Sequence, residues 1–184
     1  QSIVSYTGTG STATVGHGLD SAPNMIMLHH RTNDGADWKV QHTSLTDGNK
    51  VLYLNANVAE QNESDKFGAF AGATTFPLNG SHASVNANNS TYIAYCFHNV
   101  TGYSKFNKFT GNGSATGPVV TTGFNPAFVM WKRIDNTSDW FIADNVRNFG
   151  GLHLEANTSD AEAASNTVKF LSTGFQPTDD TSSN

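Results

Sequence analysis

The segment from Met25 to Trp38, MIMLHHRTNDGADW, gives the clearest indication of the fold, because a similar segment, FVMWKRIDNTSDW, recurs from Phe128 to Trp140. In both copies an apolar run leads into a loop rich in polar residues, and the loop leads into a tryptophan. Loops of Asn, Asp and Thr favour turns, so each copy predicts two β-strands joined by a hairpin. The recurrence predicts that the chain contains the same unit twice.

Two further blocks support this internal repeat, because they recur in the same order along the chain. TGTGSTATVGHGLDSAP is answered by TGNGSATGPVVTTGFNP, and LYLNANVAE is answered by LHLEANTSDAE. These blocks begin at Thr7, Thr110, Leu52 and Leu152. We therefore predict two homologous β repeats, residues 1–107 and 108–184.

The composition favours an all-β protein. Asn, Ser and Thr make up 58 of the 184 residues, and only 14% of residues are charged. These polar residues favour turns and disfavour helix interiors, and the brief connections predict an antiparallel β-sandwich or jelly roll. Helical turns are predicted only in NVAEQNES, 57–64, and ANTSDAEAAS, 156–165. Strands are predicted at Met25–His30, Trp38–His42, Val51–Leu54, Thr74–Leu78, Tyr92–Asn99, Val119–Thr122, Phe128–Arg133, Trp140–Asp144, Gly151–Leu154 and Val168–Leu171.

The second repeat has no counterpart of one strand of the first. The first repeat continues through TTFPLNG into TYIAYCF, which is apolar on both faces as a central strand would be, whereas the second runs through VKFLSTGFQP into TDDTSSN. A missing central strand would expose core and strand edges. Three explanations stay open: the polypeptide continues beyond Asn184, a neighbouring chain supplies the strand, or SIVSYT from Ser2 onward closes the second repeat.

Charge and motif content argue against several classes of protein. The net charge of −5 with no basic stripe argues against nucleic-acid binding, and no apolar run is long enough to insert into a membrane. Cys96 is the only cysteine, so no internal disulfide forms, and we expect it in a buried strand. Known hydrolase, phosphate-loop and zinc motifs are absent from the sequence. His29 and His30 are neighbours in a strand and point to opposite faces, so they do not share a metal.

The acidic loop before each repeated tryptophan is a candidate site. Asp34 and Asp37 precede Trp38, and Asp135 and Asp139 precede Trp140. Carboxylates beside asparagines offer the oxygen ligands that Ca²⁺ prefers, whereas the plainer interpretation is a polar hairpin loop. As a third interpretation, a glycosidase needs two carboxylates flanking a cleft. The candidates for that pair are Asp37, Asp139, Asp144 and Glu155.

The three tryptophans, Trp38, Trp131 and Trp140, are candidate stacking platforms for sugar rings. Exposed indoles beside Asp, Asn and His suit the C–H faces of a sugar. The alternative is core packing, which the equivalent positions of Trp38 and Trp140 at strand starts favour. Trp131 takes the place of Leu28 in the first repeat and stands beside Lys132, so it fits either interpretation.

Four sets of ordered motifs carry a resemblance to a known family. They are GHGLDSAPNMIMLHHR with DWKVQH, GFNPAFVMWKR with DWFIADNVRN, LHLEANTSDAE followed by FLSTGFQ, and TYIAYCF followed by GYSKF and TGNGS. Over nearly the whole chain this set resembles a tandem β-repeat family of tail-fibre and other virion-surface proteins of marine bacteriophages. The family pattern places a TYIAYCF-like strand after the FLSTGFQ-type segment, which the second repeat lacks. The resemblance implies a concanavalin-like or jelly-roll sandwich and brings no catalytic residues.

We therefore predict a non-enzymatic structural and adhesive module of a bacteriophage tail fibre or other virion appendage. The resemblance implies a homo-oligomer, a trimer in most such fibres, that contacts other virion proteins or a host-surface glycan without a cofactor. It also implies assembly in the host cytoplasm and display on the extracellular virion surface. One alternative is a capsid decoration or filament-forming coat protein that assembles by strand sharing. The other is a carbohydrate-active enzyme on a β-sandwich.

Overall fold

All regular secondary structure in the described part of the chain is β-strand. The structure, a computed structural model, describes residues 1–33, 35–147, 151–164 and 167–178. Within these ranges the strands are β1 Ser2–Thr7, β2 Ala13–Gly16, β3 Met25–His30, β4 Lys39–His42, β5 Lys50–Tyr53, β6 Gln61–Asn62, β7 Thr75–Leu78, β8 Thr91–Phe97, β9 Val120–Thr121, β10 Phe128–Lys132, β11 Trp140–Asp144, β12 Leu152–Glu155, β13 Ala163–Ala164, β14 Val168–Leu171 and β15 Gly174–Pro177. The prediction of an all-β fold with antiparallel sheets is confirmed.

Each of the ten predicted strands is present, with ends that differ by at most two residues. The two predicted helical turns are wrong. Gln61–Asn62 instead pairs with β5, and Ala163–Ala164 pairs with β12. A short polar segment beside a strand end gains more from ladder hydrogen bonds than from one isolated helical turn. No helix in the described ranges is long and apolar enough to cross a membrane.

The first of two compact units comprises Gln1–Leu54 and Glu60–Asn99. A six-stranded antiparallel sheet has the order β1-β8-β3-β4-β5-β6, and β2 pairs with β7 in a second, two-stranded sheet. Side chains of both sheets meet in one core. Ile26 and Ala94 of the larger sheet lie in the same buried cluster as Phe76 and Leu78 of β7. Two layers around one core form a sandwich within this unit.

The central strands of the first unit follow the alternation of their sequences. In β8 the side chains of Tyr92, Ala94 and Cys96 are fully buried, and the intervening residues are half-buried. This pattern fits a strand with a neighbour on each side, and β8 pairs with both β1 and β3. Cys96 therefore lies in a buried strand, as predicted, and burial raises the pKa of its thiol to about 11.

The second unit comprises Asn55–Ala59 and Val100–Asn184. Its sheets have the orders β10-β11-β12-β13 and β14-β15-β9. Val129 and Phe141 of one sheet share a buried core with Val168 and Phe175 of the other, so this unit is also two-layered. The short segment from the first half of the chain is bound by a backbone hydrogen bond of 2.8 Å from the Ser138 N–H to the Asn57 carbonyl.

The two hairpins that the sequence predicts to be repeats have corresponding registers. Leu28 of β3 stands opposite Lys39 of β4, and Trp131 of β10 stands opposite Phe141 of β11. The two hairpins differ on their outer side, because β3 pairs with β8 whereas β10 is the last strand of its sheet among the described residues. SIVSYT forms β1 and pairs with β8 in the first unit, so the hypothesis that it closes the second repeat is wrong.

Candidate functional site

Two sheet edges, β1 and β10, are the candidate functional surfaces of the described chain. Each strand is paired along one side only, β1 with β8 and β10 with β11. An unpaired edge presents rows of N–H and C=O groups that can pair with another strand. Natural proteins block such edges with short strands, prolines, charges or bulges. The sheet edges of this chain differ in how many of these blocking features they have.

The other edges are short or blocked. β6, β9 and β13 have two residues each, and β2, β7 and β14 have four. Pro77 lies within β7, and Lys169 lies within β14. By contrast, β1 has six residues without a charge or a proline, and β10 has five residues whose one charge, Lys132, is the last. The two longest edges are thus the least protected.

β10 is an edge strand that contributes residues to the core of the second unit. Val129 and Trp131 face that core, whereas the Phe128 side chain on the other face is 57% exposed. The Trp131 ring stacks on Phe141, with centroids 5.4 Å apart. Its buried Nε1–H finds no acceptor among the described residues, which is a cost for a group removed from water.

The edge of β1 exposes one face and anchors the other. Ile3 is 58% exposed, and Ser5 and Thr7 lie on the same exposed face. On the opposite face the Tyr6 hydroxyl donates a 2.6 Å hydrogen bond to the Val85 carbonyl, and its ring stacks 5.1 Å from that of Tyr92. Burial raises the pKa of Tyr6 well above its ordinary value. The strand is therefore held firmly through its inner face, while the backbone edge away from β8 has no partner strand among the described residues.

The structure separates the three predicted tryptophan platforms. Trp131 and Trp140 are only 8% and 5% exposed, so their rings belong to the core alternative rather than to a surface platform. Trp38 is half-buried, and its ring stacks on His29 with centroids 4.5 Å apart. The His29 Nε2 in turn lies 3.0 Å from the Ala36 carbonyl oxygen. Trp38 is the one of the three that retains a partly accessible ring.

The predicted acidic ligands that the structure describes each have a protein partner. Asp37 lies 3.5 Å from the Lys39 Nζ, and Asp139 accepts a 2.7 Å hydrogen bond from the Asn157 amide. Asp135 accepts a hydrogen bond from Arg133, which holds the pKa of that carboxyl below its ordinary value. Asp34 lies outside the described residues. Within the described ranges no group of three or more His, Cys, Asp or Glu side chains could hold a metal ion.

The remaining candidates for a glycosidase pair are in polar networks of the second unit. Asp144 accepts hydrogen bonds from the backbone and side chain of Arg147, which lower the pKa of the carboxyl. A general acid needs a raised pKa, so Asp144 does not suit that role. Glu155 lies 3.6 Å from His153 and accepts from Thr158, at a recess of about 90 Å³. That volume is far below that of a sugar-binding cleft.

The comparison with known families gives one match over the full length. The chain belongs to the DUF7483 family. This family is described as a domain of unknown function, and its model matches residues 1–184, which include both predicted repeats. Neither a curated protein nor a solved structure matches the chain.

One cluster of the DUF7483 domain gave no signal in the sequence. Lys39 and Lys66 are both 3% exposed, and they surround the partly exposed Glu63 in the first unit. The Tyr53 hydroxyl donates a short hydrogen bond to the same carboxylate, and burial together with this bond raises the pKa of Tyr53. The positions of these residues in the sequence do not predict the cluster, because they come together only when β4, β5 and the 63–66 turn pack against one another.

Both lysines of this cluster are paired within the first unit. Lys39 and Lys66 have their carboxylate partners within the cluster. In the repeated hairpin, Phe141 stands at the position of Lys39, opposite Trp131. The second unit thus has a buried aromatic ring at the position where the first unit has a buried, ion-paired lysine. The open strand edges therefore remain the surfaces that offer unused bonding capacity.

Proposed function

We propose that this DUF7483 domain is a non-enzymatic structural and adhesive module of a bacteriophage tail fibre or other virion appendage. The observation that carries the proposal is the unpaired outer edge of β10, at the position where the same hairpin in the first unit has β8. A strand with one open side and a core residue at its margin gains hydrogen bonds and burial when a partner strand is added. Such a domain is suited to assembly.

The outer edge of β3 shows what the corresponding edge of β10 lacks. In the first unit β8 pairs with β3 over six residue pairs, from Met25↔Phe97 to His30↔Tyr92. The same side of β10 has no such ladder among the described residues, and Phe128 is 57% exposed there. Exposed apolar side chains on an open strand favour association. This supports a homo-oligomer, and the phage-fibre resemblance favours a trimer.

The adhesive part of the proposal rests on the loop around Trp38. Its half-buried ring stacks on the His29 imidazole, and a polar group beside an aromatic ring suits a sugar. The host-surface glycan is therefore the proposed ligand of this loop, and other virion proteins are the proposed partners of the sheet edges. Display on the virion surface follows from the same proposal.

Two measurements test the proposed function. Native mass spectrometry of the purified domain should show a homo-oligomer, and a panel of bacterial surface polysaccharides should contain one that it binds. Trp38→Ala should weaken that binding, whereas Tyr103→Ala, which removes an aromatic ring that is 80% exposed elsewhere, should leave it unchanged. A domain that stays monomeric at micromolar concentration and binds no surface polysaccharide would overturn the proposal.

A further inference from the structure

Two exposed apolar side chains coincide with the two open edges. Among the described residues the large hydrophobic side chains that are exposed are Ile3, Val100, Tyr103, Val119, Phe128 and Val146. Within this group only Ile3 and Phe128 lie in strands, and they lie in β1 and β10. Their exposed fractions are 58% and 57%. The coincidence indicates that both edges serve in contacts.

The two strands have compatible patterns. In β1, Ile3, Ser5 and Thr7 share the exposed face, and the alternate residues are half-buried. In β10, Phe128 begins the outer face, and Val129 and Trp131 point to the core. Placed side by side, the strands would bring the exposed face of one next to the exposed face of the other. β1 itself carries no charge, and the Arg31 guanidinium reaches its exposed face, where it donates a 3.3 Å hydrogen bond to the Ser5 hydroxyl.

We propose that β1 of one copy of this chain pairs edge to edge with β10 of a second copy. Each copy carries one edge of each kind, so a single type of contact satisfies both. The inference rests on the assembly part of the proposed function and names its contact. A contact between two different surfaces of identical chains either closes into a ring or continues as a filament. A closed trimer and an open fibre are therefore both built from this one pairing.

A second copy is a better occupant than an unrelated strand, for a reason visible in the sheets. The position beside β3 is filled by β8, an uncharged strand of alternating pattern. β1 is likewise uncharged, alternates in the same way and already pairs with β8 through its inner edge. Its outer edge thus offers the backbone N–H and C=O groups of an uncharged strand to a second copy, as β8 does to β3. The remaining edges are shorter or carry a proline or a lysine.

The test uses two variants that each block one edge, Ile3→Lys and Phe128→Lys. Both replaced side chains are exposed, so the substitutions leave the cores intact. Native mass spectrometry should show each variant alone as a monomer, because each retains only one usable edge. A mixture of the two should form a 1:1 heterodimer that grows no further, through the unaltered β10 of the first variant and the unaltered β1 of the second. Val119→Lys, at an exposed residue outside the strands, should assemble like the parent chain.

The other outcomes are distinguishable. If the Ile3→Lys variant alone remains a dimer, β10 pairs with β10, and if the Phe128→Lys variant alone does so, β1 pairs with β1. Either result overturns this inference and leaves the proposed function standing. If both variants assemble fully, the contact lies elsewhere and the inference is again overturned. If the parent chain is monomeric and binds no polysaccharide, the proposed function fails together with it.

Discussion

The ammonium of Lys39 lies 3.6 Å from the centre of the Tyr53 ring. The same nitrogen is 3.4 Å from the Glu63 carboxylate and 3.5 Å from that of Asp37. Lys39 is 3% exposed, so a positive charge is held inside the first unit by a ring face and two acids. Breaking such a pair costs more than the pair contributes, because the remaining charge stays where water is scarce.

Lys39→Met should therefore destabilise the protein by about 2–3 kcal/mol, less than for a fully buried pair because Glu63 keeps some exposure. The double variant Lys39→Met/Glu63→Gln should recover part of that loss, since the less exposed of the two carboxylates is then neutral and the Asp37 side chain is 45% exposed to water. Urea unfolding followed by circular dichroism measures both values. Lys108→Met, at an exposed lysine, is the matched control and should change stability little. Equal destabilisation by the single and double variants would contradict the argument.

Asn86→Ala should cost about 3 kcal/mol, because a polar group left without a partner costs about 1–3 kcal/mol. Asn86 is 1% exposed. Its amide donates to the Ser11 and Gly80 carbonyls at 2.6 and 2.7 Å, and its carbonyl accepts from the Thr9 N–H. Thermal unfolding should show a lower midpoint for this variant. Asn88→Ala, at an exposed position of the same loop, should keep the midpoint of the parent protein.

His42 should make stability depend on pH. Burial lowers its pKa from 6.5 to about 4, and the Ser44 N–H donates a 3.0 Å hydrogen bond to its unprotonated Nδ1. As the pH falls from 6.5 to about 4, the unfolded chain takes up this proton before the folded chain does. The free energy of unfolding should therefore decrease across that window.

Urea titrations at several pH values between neutral and mildly acidic measure this slope. His42→Asn keeps an acceptor for Ser44 but has no proton to take up, so its slope should be shallower. An unchanged slope in the His42 variant would show that other groups control the acid sensitivity.

Gly174→Ala should weaken the second unit, because a Cβ there would lie 2.0 Å from the Val120 carbonyl oxygen. The β9 backbone would have to move, which disturbs its pairing with β15. Overpacking of this kind costs about 1–3 kcal/mol. Gly16→Ala is the control, since the new Cβ would lie 4.0 Å from its nearest neighbour, the Thr74 oxygen. Hydrogen exchange should show faster opening at β9 and β15 only in the first variant.

Local sequence signals are enough to predict some elements to the residue. Trp140–Asp144 and Val168–Leu171 have the ends that the sequence predicts, because apolar alternation and neighbouring turn residues define them without reference to the rest of the chain. Gln61–Asn62 and Ala163–Ala164 are not predicted, since such short strands exist only through their partners. Their own residues carry no strand pattern.

The candidate site is predictable in part for the same reason. The sequence comparison predicts a second repeat without a counterpart of TYIAYCF, and among the described residues β10 has no strand on its outer side. The burial of Trp131 and the place of SIVSYT depend on which strands become neighbours, and pairs distant in sequence leave no local trace. The same holds for Lys39 and Glu63, which lie in different elements.

The pairing of β1 with β8 has a consequence for the order in which a ribosome delivers this domain. Thr7 emerges long before its partner Thr91, which lies seven strands further along the chain. Until β8 has been synthesised, the uncharged β1 has no strand to pair with. Long-range closure of this kind slows folding. A nascent chain on a crowded polysome is thus most vulnerable to mispairing with its neighbours before Phe97 has left the exit tunnel.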